Sequence, residues 1–160
     1  MSQSLANIVI HLVFSTKKRQ QLIRDEERGQ LHAYMVGILN NLDSPLIEIN
    51  SVRDHVHILF AQSKNHAPSK IVAEVKAASS GWIKTLNPWY ASFSWQTGYG
   101  EFSVSPIHVN VVREYIRGQA EHHKEMIPQR GERRSRSSGA ITRQNNQARA
   151  NLHNPWDVPL

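Results

Sequence analysis

The chain has 160 residues, 39% of them apolar, which is enough for one buried core and too few for two full-sized domains. It has no cysteine, which excludes disulfides, thiolate zinc sites and cysteine nucleophiles together. Its net charge of +6 favours a polyanionic partner such as nucleic acid, and the excess is uneven: residues 1–127 carry 13 Lys/Arg against 11 Asp/Glu, whereas 128–160 carry six arginines against Glu132 and Asp157.

From Asn7 to Ser15 the stretch NIVIHLVFS alternates strictly, with Ile8, Ile10, Leu12 and Phe14 on one side and Val9, His11 and Val13 on the other. That period predicts a central strand. Gln20 to Leu42 places Leu22, Ile23, Leu31, Tyr34, Met35, Ile38, Leu39 and Leu42 mostly three and four apart, which predicts one long amphipathic helix. After the turn Asp43-Ser44-Pro45, Leu46–Asn50 and Val52–Ala61 read as a hairpin about Arg53-Asp54. Lys70–Leu86 reads as a second helix, opened by Pro68 and Ser69 and striped with Ile71, Val72, Val75, Ala78, Trp82 and Ile83. Asn87–Ser105 is rich in aromatics and turns, with a short strand at Phe102–Val104 closed by Pro106. Val109–Ile127 reads as a last helix, apolar at Val111, Val112, Tyr115 and Ile116 and polar thereafter.

Strand, helix, strand, strand, helix, strand, helix is the order of an α+β, ferredoxin-like (split βαβ) antiparallel sheet with helices on one face and an appended C-terminal helix. The expected domain is 1–127. Residues 128–160, rich in Arg, Ser, Asn and Gln, are expected to form a basic, flexible tail whose Trp156, Val158 and Leu160 can dock. No apolar run approaches the ~20 residues of a membrane-spanning helix, and MSQSLANIVIHLVF lacks the basic start and cleavage site of a signal peptide. A cytoplasmic protein with no membrane partner is the expectation.

The chemistry begins at DHVHILF, residues 54–60. Side chains two apart on a strand share a side, so His55 and His57 converge while Val56, Ile58 and Phe60 take the other. Two neutral imidazoles so placed can bind a divalent cation, but the spacing alone is weak, and a strand also tolerates histidine in a purely structural role. A third ligand is needed. On the last helix Tyr115 and Gln119 stand i and i+4, with His122 or His123 one turn on. Tyr115 reads either as core beside Val111 and Val112 or as a phenol that needs a cation or base to help remove its proton.

His55-Val56-His57 within DHVHIL, the upstream HLVFSTKKR, the aromatic WQTGYGEFSVS and YIRGQAEHHK stand in the order and spacing of one known family. From Asn7 to Lys124 the sequence resembles the single-tyrosine HUH transposases of the insertion sequence 200/605 type, including those associated with repeated extragenic palindromes. The resemblance implies that His55 and His57 are metal ligands, that Tyr115 is the nucleophile, and that Gln119 fills the third ligand position, with His122 and His123 in reserve. It implies metal-dependent cleavage of single-stranded DNA beside a hairpin, using Mg2+ or Mn2+, through a 5′-phosphotyrosine link that a 3′-hydroxyl later resolves. One phosphodiester replaces another, so no ATP is required, in keeping with the lack of a GxxxxGK[ST] loop. Two imidazoles and an amide carry no net charge, which leaves the cation most of its +2 for the phosphate. The family resemblance also implies a homodimer, with active sites that two subunits can share.

For DNA contacts the sequence offers Lys17, Lys18 and Arg19 after the first strand and Lys70, Lys76 and Lys84 on the second helix, each weighed against a merely solvated charge. Trp89, Tyr90 and Trp95 read as stacking platforms or as core. His11 reads as a packed histidine or one that approaches the site. Two rival functions remain: a replication or conjugation initiator of the wider HUH class, and a domesticated protein that only holds palindromic nucleic acid.

Overall fold

Alternation in the first strand and in DHVHILF organises the whole domain. The computed structural model describes residues 4–119 and 121; the expected tail, with Trp156, Val158 and Leu160, and His122 and His123 lie outside the described residues. The elements are β1 (Val9–Ser15), α1 (Asp25–Asn41), β2 (Leu46–Ser51), β3 (His55–Ala61), α2 (Pro68–Ile83), β4 (Gly100–Val104) and α3 (Val109–Arg117). The strands form one sheet in the order β2-β3-β1-β4, antiparallel at every pairing. This is the expected split βαβ arrangement.

Parity divides the sheet. On one face Ile10, Leu12 and Phe14 of β1 meet Val56, Ile58 and Phe60 of β3, all buried under Leu31, Met35 and Leu39 of α1 and Ile71, Val72, Val75 and Ile83 of α2. At about 1.5–3 kcal/mol for each large apolar side chain fully removed from water, this layer is the main source of stability. On the opposite face a smaller cluster of Val9, Leu59 and Val104 packs against Val112 and Ile116 of α3. The appended helix therefore covers the face that α1 and α2 leave, and its buried stripe is Val112–Ile116; Val111 is 64% exposed.

The first helix starts later than its apolar spacing suggests, at Asp25 instead of Gln20. Lys17–Arg19 form a tight turn with Lys18 and Arg19 in the left-handed region at φ 57° and 52°, and Thr16 Oγ1 closes it by donating to the Gln20 carbonyl at 2.6 Å. Residues 20–24 then run extended, with the Ile23 N–H donating to the Arg53 carbonyl at 2.9 Å and its side chain buried. Leu22 and Ile23 thus imitate a first helical turn while serving as a strap. Asp25, Glu26 and Glu27 fill the true first turn, where negative charge suits the helix dipole. The helix ends in paired C-terminal bonds, Asp43 N–H to the Asn40 carbonyl and Ser44 N–H to that of Leu39, with Asp43 left-handed at φ 50°.

Candidate active site

Because β1 and β3 pair with Val13 opposite His57 and Ser15 opposite His55, the face away from α1 and α2 carries His11, His55 and His57 as one group. All three are buried, at 0%, 6% and 3% exposure. The rings of His55 and His57 stand 5.1 Å apart, and those of His11 and His57 lie nearly coplanar, edge to edge, with centroids 5.3 Å apart. The two predicted ligand histidines are therefore brought together.

Tyr115 joins them from α3. Val112 and Ile116 dock the helix on the sheet, and Tyr115 presents its ring edge-on to His57 at 5.8 Å and to His11 at 6.3 Å. Gln119, four residues further, is 2% exposed, and helical hydrogen bonding continues past Arg117 through the Gly118 N–H to the Glu114 carbonyl.

The register of this helix depends on residues that the motif reading missed. Asn50, paired with His57 across β2 and β3, donates from Nδ2 to the carbonyls of Ile116 at 2.9 Å and Arg117 at 3.0 Å. Its Oδ1 accepts from the Ser51 N–H at 2.9 Å. Glu48 accepts from Arg117 Nε at 2.7 Å and Arg113 Nε at 3.4 Å. The strand neighbour of His57 thus holds the C-terminal end of the helix that carries Tyr115. The available signal was period-two spacing: Glu48 and Asn50 are polar at alternate positions of a strand whose Ile49 faces the main core.

Each histidine of the pair has a definite partner at Nδ1. For His55 it is Asp54 Oδ1 at 2.7 Å, and Asp54 Oδ2 in turn accepts from Arg19 Nε at 3.1 Å. Burial alone would raise the Asp54 carboxyl, but its contacts with His55 and Arg19 outweigh that and hold it at about 2, so it remains a carboxylate at neutral pH. A carboxylate at Nδ1 keeps the proton there and puts the lone pair of the neutral ring on Nε2, the arrangement common behind metal-bound histidine. His57 Nδ1 lies 3.0 Å from His11 Nε2. Burial pushes His11 down to about 4, leaving its ring uncharged at neutral pH.

The two imidazoles suit a divalent cation held loosely: among the described residues the one carboxylate bonded to the pair meets it through Nδ1 of His55. Among the described residues no group of three His, Cys, Asp or Glu side chains is arranged to hold a metal ion.

The candidate DNA contacts separate. Lys17, Lys18 and Arg19 are exposed; Arg19 reaches Asp54 and His55, whereas Lys17 and Lys18 line a cavity of about 460 Å³ with Ser94, Trp95, Gln96 and Thr97. Lys76 instead donates to the carbonyls of Gln96, Thr97 and Gly98 at 2.5, 2.9 and 3.2 Å, so it fixes the loop that walls this cavity. Lys70 and Lys84 are exposed on α2, on the other side of the sheet. Tyr90 and Trp95 are core: Tyr90 donates to Glu27 at 3.0 Å, and Trp95 Nε1 to Ser79 Oγ at 3.0 Å. Trp89 is 52% exposed beside Arg24.

With this geometry in place, comparison with known proteins gives three findings. A family model described as "Transposase IS200 like" matches residues 4–119. A candidate transposase from Deinococcus radiodurans R1 shares the fold at 23% identity and TM-score 0.59, over 74% of this chain and 98% of that one. A REP-associated tyrosine transposase, solved bound to a REP hairpin, does so at 14% identity and TM-score 0.57, over 77% of this chain and 74% of the other. No curated protein sequence matches the chain. No helix among the described residues is long and apolar enough to cross a membrane.

Proposed function

The chain belongs to the IS200-like transposase family, and from that premise we propose that it cuts and rejoins single-stranded DNA beside a hairpin, with Tyr115 as the attacking group. The observation that carries this reading is the meeting of three side chains distant in sequence: Tyr115 from α3 stands 5.8 Å, ring to ring, from His57, which stands 5.1 Å from His55. A core tyrosine has no need of buried imidazoles at its edge, whereas a phenol with a reference pKa near 10 needs help to become a nucleophile.

His55, His57 and Gln119 would hold Mg2+ or Mn2+. When bound, such a cation supplies positive charge that polarises the scissile phosphate. Asp54 fixes the orientation of the His55 imidazole, and Asn50 and Glu48 set the height of the phenol above the pair. Tyr115 attacks phosphorus, the bond to the 3′-oxygen breaks, and the net proton passes from the phenol to the departing oxygen. A 5′-phosphotyrosine and a 3′-hydroxyl end result, and attack by such an end on the link reverses the step. Lys17, Lys18 and Arg19 would take the strand's phosphates. A hairpin substrate is supported by the structural neighbour that carries one. A second subunit in a homodimer can bring further phosphate contacts, although His55, His57 and Tyr115 already meet within one chain.

The test is a denaturing gel of protein incubated with labelled hairpin-bearing single-stranded DNA and Mn2+. Wild type should form a protein-linked fragment. Tyr115→Phe should lose it by roughly 10³-fold or more while still binding the DNA. A Tyr115→Phe protein that retains the adduct contradicts the assignment, and a wild type that binds but never links supports a domesticated binding protein instead.

A further inference from the structure

His55 is backed by a carboxylate; the group behind His57 is another histidine. His11 lies diagonally across the β1–β3 ladder, opposite Leu59 while His57 is opposite Val13, so both project from the same face. Its Nε2 is 3.0 Å from His57 Nδ1, the two rings lie edge to edge with only 24° between their planes, as an in-plane N–H···N bond requires, and His11 is wholly buried. Phe102 of β4 stands on its other side at 6.3 Å, and Tyr115 closes over it at the same distance. Packing of this kind leaves the ring little rotational freedom. An imidazole fixed from strand, neighbour and helix at once is a rigid post for whatever it bonds.

We propose that His11 is a positioning residue for the cation site, accepting the Nδ1 proton of His57 and so holding the His57 lone pair on Nε2, toward the metal. This rests on the reading of His55 and His57 as ligands and adds a residue to it. The proton placement follows from the pair itself. A single proton is shared between His57 Nδ1 and His11 Nε2. If His11 donated it, a neutral His57 would carry its own proton on Nε2 and could not ligate there. If His57 donates it, Nε2 becomes the donor to the cation, and His11 keeps its proton on Nδ1. An imidazole in this place, unlike the carboxylate of Asp54, orients His57 without adding a negative charge that would weaken the cation's pull on phosphate.

The experiment measures Mn2+ affinity of the full chain by electron paramagnetic resonance, without DNA, for wild type, His11→Leu, His11→Gln and His57→Ala. His11→Leu removes the acceptor and should weaken Mn2+ binding by about 10–100-fold. His11→Gln offers an amide oxygen close to the position of Nε2 and should recover to within a few-fold of wild type. Unfolding without metal gives the second readout: His11→Leu leaves the buried His57 N–H without its acceptor and should lower Tm modestly, His11→Gln should restore it, and Mn2+ affinity is compared at a temperature where every variant is folded. Wild-type Mn2+ affinity in His11→Leu overturns the proposal, as does His11→Gln falling as far as His11→Leu. His57→Ala separates the layers: it must lose Mn2+ binding, and if it does not, the ligand reading has failed and His11 with it. Should His11→Leu not fold, 15N NMR of wild type saturated with Mg2+ decides the matter. A His57 proton on Nδ1 supports the proposal, and one on Nε2 overturns it.

Discussion

The two faces of this sheet are made by the same strands, one residue out of step, and they do different work. Under α1 and α2, β1 and β3 contribute Ile10, Leu12, Phe14, Val56, Ile58 and Phe60. At the intervening positions they contribute His11, Ser15, His55 and His57 along with Val9, Val13 and Leu59. The first set buries apolar surface behind two long helices, and the second is roofed by a helix of nine residues with a small apolar contact and several polar ones. Stability and chemistry are thus separated by side-chain parity within one pair of strands. Disturbing one face should move unfolding, and disturbing the other should move ligand and DNA chemistry.

The largest effect on stability should come from Phe60→Ala on the helix-covered face. Phe60 is fully buried, so its truncation should cost about 3–5 kcal/mol by chemical denaturation. The folded fraction should still bind Mn2+ as wild type does, and a parallel loss of Mn2+ affinity would show that the two faces are not separable.

A smaller effect of the same kind concerns acid. His32 on α1 meets Ser51 Oγ at 2.8 Å, and burial, with the Arg28 charge added, lowers it to about 4. The unfolded chain takes up this proton near 6.5, so between 6.5 and 4 it binds more protons than the folded state. His32 therefore contributes fully to stability above that window, loses its contribution as pH falls through it, and changes nothing further below. Discounted for partial exposure, the loss is about 2 kcal/mol. Replacing it, as His32→Gln, should flatten the stability curve between pH 6.5 and 4, and an unchanged slope would refute the assignment.

Smallest is Asn50→Ala on the other face, at about 1 kcal/mol of global stability, since the two carbonyls it serves lie at a helix end that water can reach. Hydrogen exchange should locate the damage, with protection falling in 109–117 and not in α1 or α2. Uniform loss across all three helices would mean that Asn50 supports the domain and not the roof.

Much of this division was legible in the sequence. Strict alternation in NIVIHLVFS and HVHILF fixed both strands and grouped the histidines, because a pleated strand leaves side chains no other choice. Val109–Ile127 was readable as a helix, which the structure forms over Val109–Arg117, but which sheet face it covers depends on Val9, Leu59 and Val104, which a one-dimensional period cannot assign to a partner. Leu22 and Ile23 were drawn into α1 because an extended strap and a first helical turn can carry the same apolar pair. Lys76 reads from the sequence as a DNA contact or a solvated charge, because spacing cannot show that its ammonium holds three carbonyls. Parity put His11 on the side away from Ile10, Leu12 and Phe14 but left open whether it packs or approaches the site, because its bond to His57 is diagonal and spacing within one strand is blind to that. Asn50 and Glu48 were missed for the same reason: their partners are on α3, more than 60 residues away.

The central claim, that one cation site and one phenol share the face opposite the core, can be measured without DNA or turnover. In protein labelled uniformly with 3-fluorotyrosine, 19F NMR resolves the four tyrosines, among them Tyr34, stacked on Trp82 of α2, and Tyr90, buried in the helix-side core. Substoichiometric Mn2+ should broaden the Tyr115 resonance first and most strongly, spare Tyr34 and Tyr90, and lose this selectivity in His57→Ala. Broadening that spares Tyr115, or that persists unchanged in His57→Ala, would contradict the account.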